Sequence, residues 1–228
     1  MNAIAVVIGA TGGIGNALML ALAQHAAYSA VIGLSRSSAP PLELTSEESV
    51  AAAAAFIAAQ GTPRLIIDAT GVLQSETVKP EKTWRELDAA QMARSFAINA
   101  IGPALVMKHF LPLLPREGSA VFATLSARVG SIGDNRLGGW YSYRASKAAL
   151  NQLVRTAAIE LNRRAPSAIC VVLHPGTVAT GLSASFAKTG LEVQTPEHAA
   201  EQLLAVISRL TTTESGGFFD YKGETIAW

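Results

Sequence analysis

Cysteine is almost absent from this sequence, which contains one, Cys170, and four histidines in 228 residues. A single cysteine cannot form an intramolecular disulfide, and no cysteine and histidine cluster has metal-ligand spacing. We therefore expect no metal and a reducing, cytoplasmic location. The apolar stretches are short and broken by glycine, proline or charge, so we expect no membrane span.

An excess of charge of one sign is also missing. Lysine and arginine total 18, aspartate and glutamate total 17, and the net charge is +1. Because no basic block is present, we expect no nucleic-acid partner. The hydrophobic share of 50% excludes a disordered chain, and the length fits a single domain over residues 1–228.

Short runs rich in valine, isoleucine and leucine alternate with longer helix-like segments. The predicted strands are 4–8, 30–34, 65–68, 120–125 and 168–173, followed by an edge strand and tail in 217–228. The predicted helices are 13–24, 46–60, one or two within 87–114 interrupted near Gly102, 143–162, and one after Thr195. This rhythm predicts an α/β fold with three layers, αβα, around a doubly wound parallel sheet.

A glycine-rich turn follows the first predicted strand and opens the first predicted helix. Gly9, Gly13 and Gly15 are spaced G-x-x-x-G-x-G. Glycines in this context let a pyrophosphate approach N–H groups at a helix N-terminus. The alternative is a tight turn that needs glycine only for its conformation. Its position after the first strand favours cofactor binding.

Four polar residues are candidates for chemistry. Tyr143 and Lys147 lie four residues apart and so share a helix face, where an ammonium group would lower the pKa of the phenol. Ser126 follows a predicted strand, at the sheet edge where ligands bind. Asn99 is a polar residue within an apolar run. The alternatives are an ordinary surface pair, a turn-forming serine and a buried, hydrogen-bonded asparagine.

Together these residues resemble the short-chain dehydrogenase/reductase family, and 139–143 and 217–228 resemble its C-factor-like members. The resemblance implies a Rossmann fold and the catalytic set Asn99, Ser126, Tyr143 and Lys147. In that set Ser126 and Tyr143 hold the substrate oxygen, Tyr143 delivers the proton, and Asn99 positions a water. The resemblance also implies a cofactor site formed by Gly9, Thr11, Gly13, Ile14, Gly15, Ser35, Arg36, Glu43, Leu44, Ala69, Gly71, Lys147, Pro175, Gly176, Val178 and Thr180.

One segment departs from the family pattern. Where the family carries N-N-A-G, this chain has Asp68-Ala69-Thr70-Gly71, which retains only Gly71. The asparagine of that motif braces the sheet in the family. Asp68 therefore either holds backbone donors in its place or leaves the site looser.

The choice of cofactor depends on residues 34–37. Enzymes of this fold that use NAD place an acidic residue about 20 positions after the glycines. Here that place holds Ser35 and Arg36, and an arginine can pair with a 2′-phosphate, so NADP(H) is favoured over NAD(H). The alternative is a solvated loop arginine.

The sequence thus predicts an NADPH-dependent oxidoreductase that interconverts a carbonyl and an alcohol. We expect a small, fairly hydrophobic ketone or aldehyde, walled by Leu137, Trp140 and Tyr141. A substrate loop near 177–195 would close over it. In this loop the apolar lid residues are Leu182, Phe186 and Leu191, and the hinges are Gly181 and Gly190. The alternative is a cofactor-binding signalling or regulatory protein of C-factor type with incidental turnover. A homodimer or tetramer is a further expectation.

Overall fold

The structure is a computed structural model that describes residues 2–74, 79–181 and 193–228. Its helices are α1 (Gly13–Ala23), α2 (Glu47–Gln60), α3 (Ala89–Phe96), α4 (Gly102–Phe110), α5 (Tyr141–Arg164) and α6 (Pro196–Ile207). Its strands are β1 (Ala3–Ile8), β2 (Ala30–Leu34), β3 (Thr62–Asp68), β4 (Ala120–Leu125), β5 (Ala168–His174), β6 (Thr177–Val178), β7 (Val193–Gln194) and β8 (Phe218–Asp220).

Six strands form one sheet in the order β2-β1-β3-β4-β5-β8, and every pair in it is parallel. The two short strands β6 and β7 pair separately. The chain runs from β1 outward to β2 and then returns to place β3 on the other side of β1. Such a reversal opens a crevice at the carboxyl ends of the strands, where ligands bind in doubly wound folds.

Alternate residues of the strands face two separate hydrophobic cores. On one face, side chains such as Val6 and Phe122 pack with α2, α4 and α5. On the other, side chains such as Val7 and Ala123 pack with α1 and α6. The sheet is therefore buried on both faces, which confirms the predicted three-layer, doubly wound architecture.

The helical run Ala89–Leu113 is long and apolar enough to pass a composition test for a membrane span, with a mean hydropathy of 1.3. Its α4 part packs into the first core, where Val106 and Phe110 are fully buried. Core helices of this kind pass the same test by composition alone.

Several element boundaries differ from the sequence prediction. The run 87–114 is interrupted by a π-helical turn, Ala97–Ile101, immediately before Gly102. Helix α5 begins at Tyr141, two residues before the predicted start. The side chains of Ser46 and Thr195 cap two helices, because they accept hydrogen bonds from the first turns of α2 and α6.

Candidate active site

The glycine turn joins β1 to α1 at the crevice. A Cβ atom on Gly15 would lie 2.1 Å from the Gly9 carbonyl oxygen, so the turn excludes any side chain there. Gly9 itself adopts a φ of +83°. The first N–H groups of α1 point out of the helix without intrahelical acceptors, as at every helix N-terminus. The turn thus meets a conformational need and also presents donors suited to a phosphate.

The loop after β5 reaches this turn. A Cβ atom on Gly13 would lie 2.7 Å from Thr180 Cγ2, which places Thr180 directly over the start of α1. Ile14, Pro175, Gly176, Val178 and Thr180 all line one cavity of about 450 Å³. The tertiary structure therefore brings two separately predicted parts of the cofactor site together. Of the proposed lid and hinge residues, Gly181 is an exposed turn residue, whereas Leu182, Phe186, Gly190 and Leu191 lie outside the described residues.

The cofactor-site residues expected between positions 35 and 44 lie partly in the core and partly at the surface. Ser35 is buried, and its hydroxyl lies 3.1 Å from that of Ser37. Arg36 is exposed, two residues after the end of β2. Glu43 accepts hydrogen bonds from the amide and hydroxyl of Thr45. Leu44 is buried and packs beneath Gly102.

Asp68 occupies the departure from the family pattern and is completely buried. Its carboxylate accepts hydrogen bonds from the amide of Thr70 at 3.1 Å, from the Thr70 hydroxyl at 2.6 Å and from the Thr124 hydroxyl at 3.1 Å. Burial raises the pKa of Asp68, while these hydrogen bonds and the charge of Lys147 oppose the rise. The carboxylate thus bridges the end of β3 to β4 and holds a backbone donor, the first of the two predicted outcomes.

Asn99 lies in the π-helical turn and is fully buried. Its Oδ1 accepts the amide of Val72 at 2.8 Å, and its Nδ2 donates to the Val72 carbonyl at 2.8 Å. Its Nδ2 also lies 3.2 Å from the hydroxyls of Ser95 and Ser146. Asn99 therefore anchors the loop after Gly71, as in the alternative of a buried, hydrogen-bonded asparagine.

Lys147 is buried next to this loop. Its Nζ donates to the Leu125 carbonyl at 3.0 Å. A Cβ atom on Gly71 would lie 3.3 Å from that Nζ and 3.5 Å from Asn99 Oδ1, so the three residues converge. Burial lowers the pKa of Lys147 to about 8, and the nearby charge of Asp68 limits the fall.

Ser126 and Tyr143 face the same cavity of about 450 Å³. The Ser126 hydroxyl is buried and has no hydrogen-bond partner among the described residues. Burial raises the pKa of the Tyr143 phenol above its ordinary value, the opposite of the lowering expected from Lys147. The phenol therefore holds its proton tightly, as a proton donor must until a negative oxygen develops beside it.

Glu81 is a buried residue that sequence reasoning missed. Its carboxylate accepts hydrogen bonds from the amide and hydroxyl of Ser142, in the first turn of α5. Its carbonyl accepts the amide of Trp140, which adopts a left-handed conformation before the helix. A carboxylate at a helix N-terminus satisfies free donors and complements the helix dipole. Glu81 explains why α5 begins two residues early and helps to set the position of Tyr143.

The wall of the cavity is more polar than expected. Leu137 and Trp140 line it as predicted, but Tyr141 is not among its lining residues. Besides Tyr143, its charged or ionisable lining residues are Arg128, Asp134, Arg136, Arg144 and His174. Four of these five lie within residues 128–144, and His174 joins them from the end of β5, a meeting that no local sequence pattern indicated.

Metal ligands are not assembled in the described parts of the chain, where no group of three or more histidine, cysteine, aspartate or glutamate residues could hold an ion. Cys170 is buried in β5 and unpaired. Burial raises the pKa of its thiol to about 12.

Comparisons with known proteins place this geometry in context. A family model described as enoyl-(acyl carrier protein) reductase matches residues 9–214. A C-signal protein of Myxococcus xanthus is 39% identical over 143 residues, covering 63% of this chain and 82% of that protein. A 1-hydroxy-2-glutathionyl-2-methyl-3-butene dehydrogenase of Rhodococcus sp. (strain AD45) is 36% identical over 190 residues, covering 83% and 79%.

A solved structure also matches the whole chain. The NADPH-bound carbonyl reductase from chicken fatty liver superposes with a TM-score of 0.85 at 26% identity, covering 100% of this chain and 99% of that one. The fold around the cavity is therefore shared with a protein that was solved with a nicotinamide nucleotide.

Proposed function

Because this chain belongs to the short-chain dehydrogenase/reductase family, we propose that it is an NADPH-dependent oxidoreductase that interconverts a carbonyl and an alcohol. The single observation that carries the proposal is the buried hydroxyl of Ser126, which has no hydrogen-bond partner in the described part of the chain and lies on the cavity that Tyr143 also lines. A buried hydroxyl without a partner requires one, and a substrate oxygen between Ser126 and Tyr143 supplies it. The proposed active domain spans residues 1–228, with the substrate loop near 177–195.

The residues of the chain divide the chemistry between them. Ser126 and Tyr143 hold the substrate oxygen, and Tyr143 delivers its proton as negative charge develops there. Lys147, with a pKa of about 8, remains largely an ammonium ion at neutral pH and stabilises the tyrosinate that results. Asn99 keeps the loop after Gly71 in place beside Lys147. A bound nicotinamide nucleotide would supply or accept the hydride.

The glycine turn would bind the nucleotide through N–H groups of α1, with Ile14, Val178 and Thr180 around the nicotinamide end. The fit is supported by the closeness of Gly15 to the Gly9 carbonyl and by the cavity that continues from α1 to Ser126. Arg36 would pair with a 2′-phosphate, because it is exposed two residues after the end of β2. The chicken carbonyl reductase, which was solved with NADPH, supports the same choice.

Titration with NADPH and NADH in parallel, followed by energy transfer from tryptophan, tests the cofactor. We expect tighter binding of NADPH, and Arg36→Gln should reduce that preference while Arg85→Gln should not. Tyr143→Phe should leave NADPH binding nearly unchanged and reduce turnover of an aldehyde panel by about 10²-fold or more, as expected for loss of a general acid. Retained turnover would rule out Tyr143 as the proton donor.

A second function is supported by the C-signal relative of Myxococcus xanthus. In this alternative the chain is a cofactor-binding signalling or regulatory protein in which turnover is incidental. The two functions differ in what Tyr143→Phe does, because a signalling role that needs only nucleotide binding would survive this substitution.

A cytoplasmic location and a homodimer or tetramer complete the proposal. Leu153 and Ile159 are exposed on α5, and a partner copy would cover them. Sedimentation at micromolar concentration tests the oligomeric state, and a monomer would refute the proposed assembly.

A further inference from the structure

One wall of the cavity beside Ser126 and Tyr143 carries three arginines. Arg128 follows Ser126 by two residues and begins a short 3-10 turn, Arg128–Gly130. Arg136 lies in the loop that follows, and Arg144 comes directly after Tyr143 in α5. All three line the cavity. Their proximity in sequence to the two proposed catalytic residues places this wall at the substrate end.

Two of these arginines serve the structure. Arg128 bridges Asp134 at 3.2 Å and Asp220 at 3.0 Å, and Asp220 is almost completely buried. Arg144 donates through Nε to the Gly139 carbonyl at 2.9 Å and through Nη1 to the Val129 carbonyl at 3.2 Å. These contacts hold the loop 131–139 against α5 and keep its shape.

Arg136 has no such carboxylate partner among the described residues. Its Nη1 donates to two nearby main-chain carbonyls, Gly133 at 3.0 Å and Asn135 at 3.4 Å, and its side chain is exposed. In the described ion pairs, neither Arg136 nor Arg144 meets an acidic group. Among the described residues that line the cavity, Asp134 is the only carboxylate, and it is already paired with Arg128. The wall therefore has an excess of positive charge.

His174 adds a second, independent observation. It lines the same cavity, and its Nδ1 is buried without a hydrogen-bond partner among the residues described. Burial lowers the pKa of His174 to about 4, helped by the charge of Arg128. The imidazole is therefore neutral at pH 7 and can pair with a polar group of a ligand without adding charge.

We propose that the cavity takes a carbonyl or alcohol substrate that also bears a carboxylate, and that Arg136 binds this carboxylate. The inference rests on the proposed function, because the reacting oxygen lies between Ser126 and Tyr143. A guanidinium group matches a carboxylate geometrically and forms charge-assisted hydrogen bonds, which are stronger than neutral ones. Leu137 and Trp140 would pack against the carbon chain between the two ends.

This inference replaces the expected small hydrophobic substrate with an anionic one. Position 136 then determines specificity and takes no part in proton transfer. Its contribution appears as a preference between charged and uncharged substrates of the same shape.

A matched pair of aldehydes tests the proposal. The acid 4-formylphenylacetate and its methyl ester react at the same group, and a methylene separates the ring from the charge that distinguishes them. We expect kcat/KM to favour the acid by about 10-fold or more, the usual effect of a hydrogen bond to a charged group. Arg136→Gln should remove most of this preference. Arg116→Gln, at an exposed site away from the cavity, should keep it.

Three outcomes would overturn the proposal: a wild-type preference for the ester, an acid-to-ester ratio unchanged by Arg136→Gln, or the same fall in that ratio with Arg116→Gln. Arg136→Gln could also lower the affinity for NADPH. If that fall accounts for the whole loss of preference for the acid, Arg136 belongs to the cofactor site and the proposal is refuted.

A second readout separates this proposal from the proposed function. Calorimetric titration with the product acid, 4-(hydroxymethyl)phenylacetate, requires no turnover. We expect wild-type protein to bind it at least about 10-fold more tightly than Arg136→Gln does. If neither aldehyde is reduced but this difference is present, the anion site stands and the oxidoreductase activity fails. If turnover occurs without the difference, the anion site fails alone.

Discussion

Replacing Lys147 by methionine should change how the stability of the protein depends on pH. Burial lowers the pKa of Lys147 from its ordinary value of 10.5 to about 8. The buried ammonium therefore costs about 3 kcal/mol of folding free energy at pH 7, because each pKa unit corresponds to about 1.4 kcal/mol. Methionine has a similar length and no charge, so it avoids this cost.

The direction of the effect follows from proton binding. Between pH 8 and 10.5 the unfolded chain keeps a proton on Lys147 that the folded protein has released. Stability therefore rises with pH in this window, and the contribution of Lys147 is unfavourable below it. The free energy of unfolding of the wild type, minus that of Lys147→Met, should rise by roughly 2 to 3 kcal/mol between pH 8 and pH 10.

Urea unfolding at pH 7, 8, 9 and 10 measures this difference. Both proteins contain Cys170, whose thiol pKa is raised by burial, so its effect on the difference largely cancels. Lys82→Met, at an exposed site, is the matched control and should give no such rise. A difference between wild type and Lys147→Met that stays constant across the four pH values would refute the argument that burial lowers the Lys147 pKa.

Three further substitutions test the local structure. Glu81→Gln should lower the free energy of unfolding by about 1 to 3 kcal/mol, because an amide replaces a buried carboxylate that accepts two hydrogen bonds from Ser142. Chemical denaturation measures this loss against the exposed control Glu117→Gln, and equal stability of the two variants would contradict the prediction. Ser46→Ala should cost about 1 kcal/mol through loss of the α2 cap, and an unchanged melting temperature would argue against the cap. Gly15→Ala should weaken NADPH binding, because its Cβ would lie 2.1 Å from the Gly9 carbonyl oxygen. An unchanged affinity in a fluorescence titration would show that the turn tolerates a side chain.

The glycine turn and the α5 pair show how far local sequence reaches. The sequence predicts Gly9, Gly13 and Gly15 at the strand-to-helix junction, and the structure has them there. The spacing of Tyr143 and Lys147 predicts that they share one face of a helix, and both are buried in α5. These features are local, because they depend on residues within a few positions of each other and on the period of the helix.

The boundaries of two helices show where local reasoning stops. Nothing near Trp140 predicts a helix start at Tyr141, because the capping carboxylate of Glu81 lies about 60 residues earlier. The π-helical turn likewise orients Asn99 toward Val72, a contact across 27 positions. Such contacts form only when the chain has folded, so no window of sequence contains them.

The sequence by itself determined the order of strands and helices, the parallel sheet and the shared helix face of Tyr143 and Lys147, because each follows from a repeating or closely spaced pattern. Asn99 and Ser126 joined the residues proposed for catalysis through the family resemblance. Only the tertiary structure decided the environment of those residues. It buried Lys147 beside Asp68, raised the pKa of Tyr143 by burial, and gathered Arg136 and His174 onto one cavity. Burial and charge at a site depend on segments far apart in the chain, which is why the polarity of the substrate wall could not be predicted from the sequence.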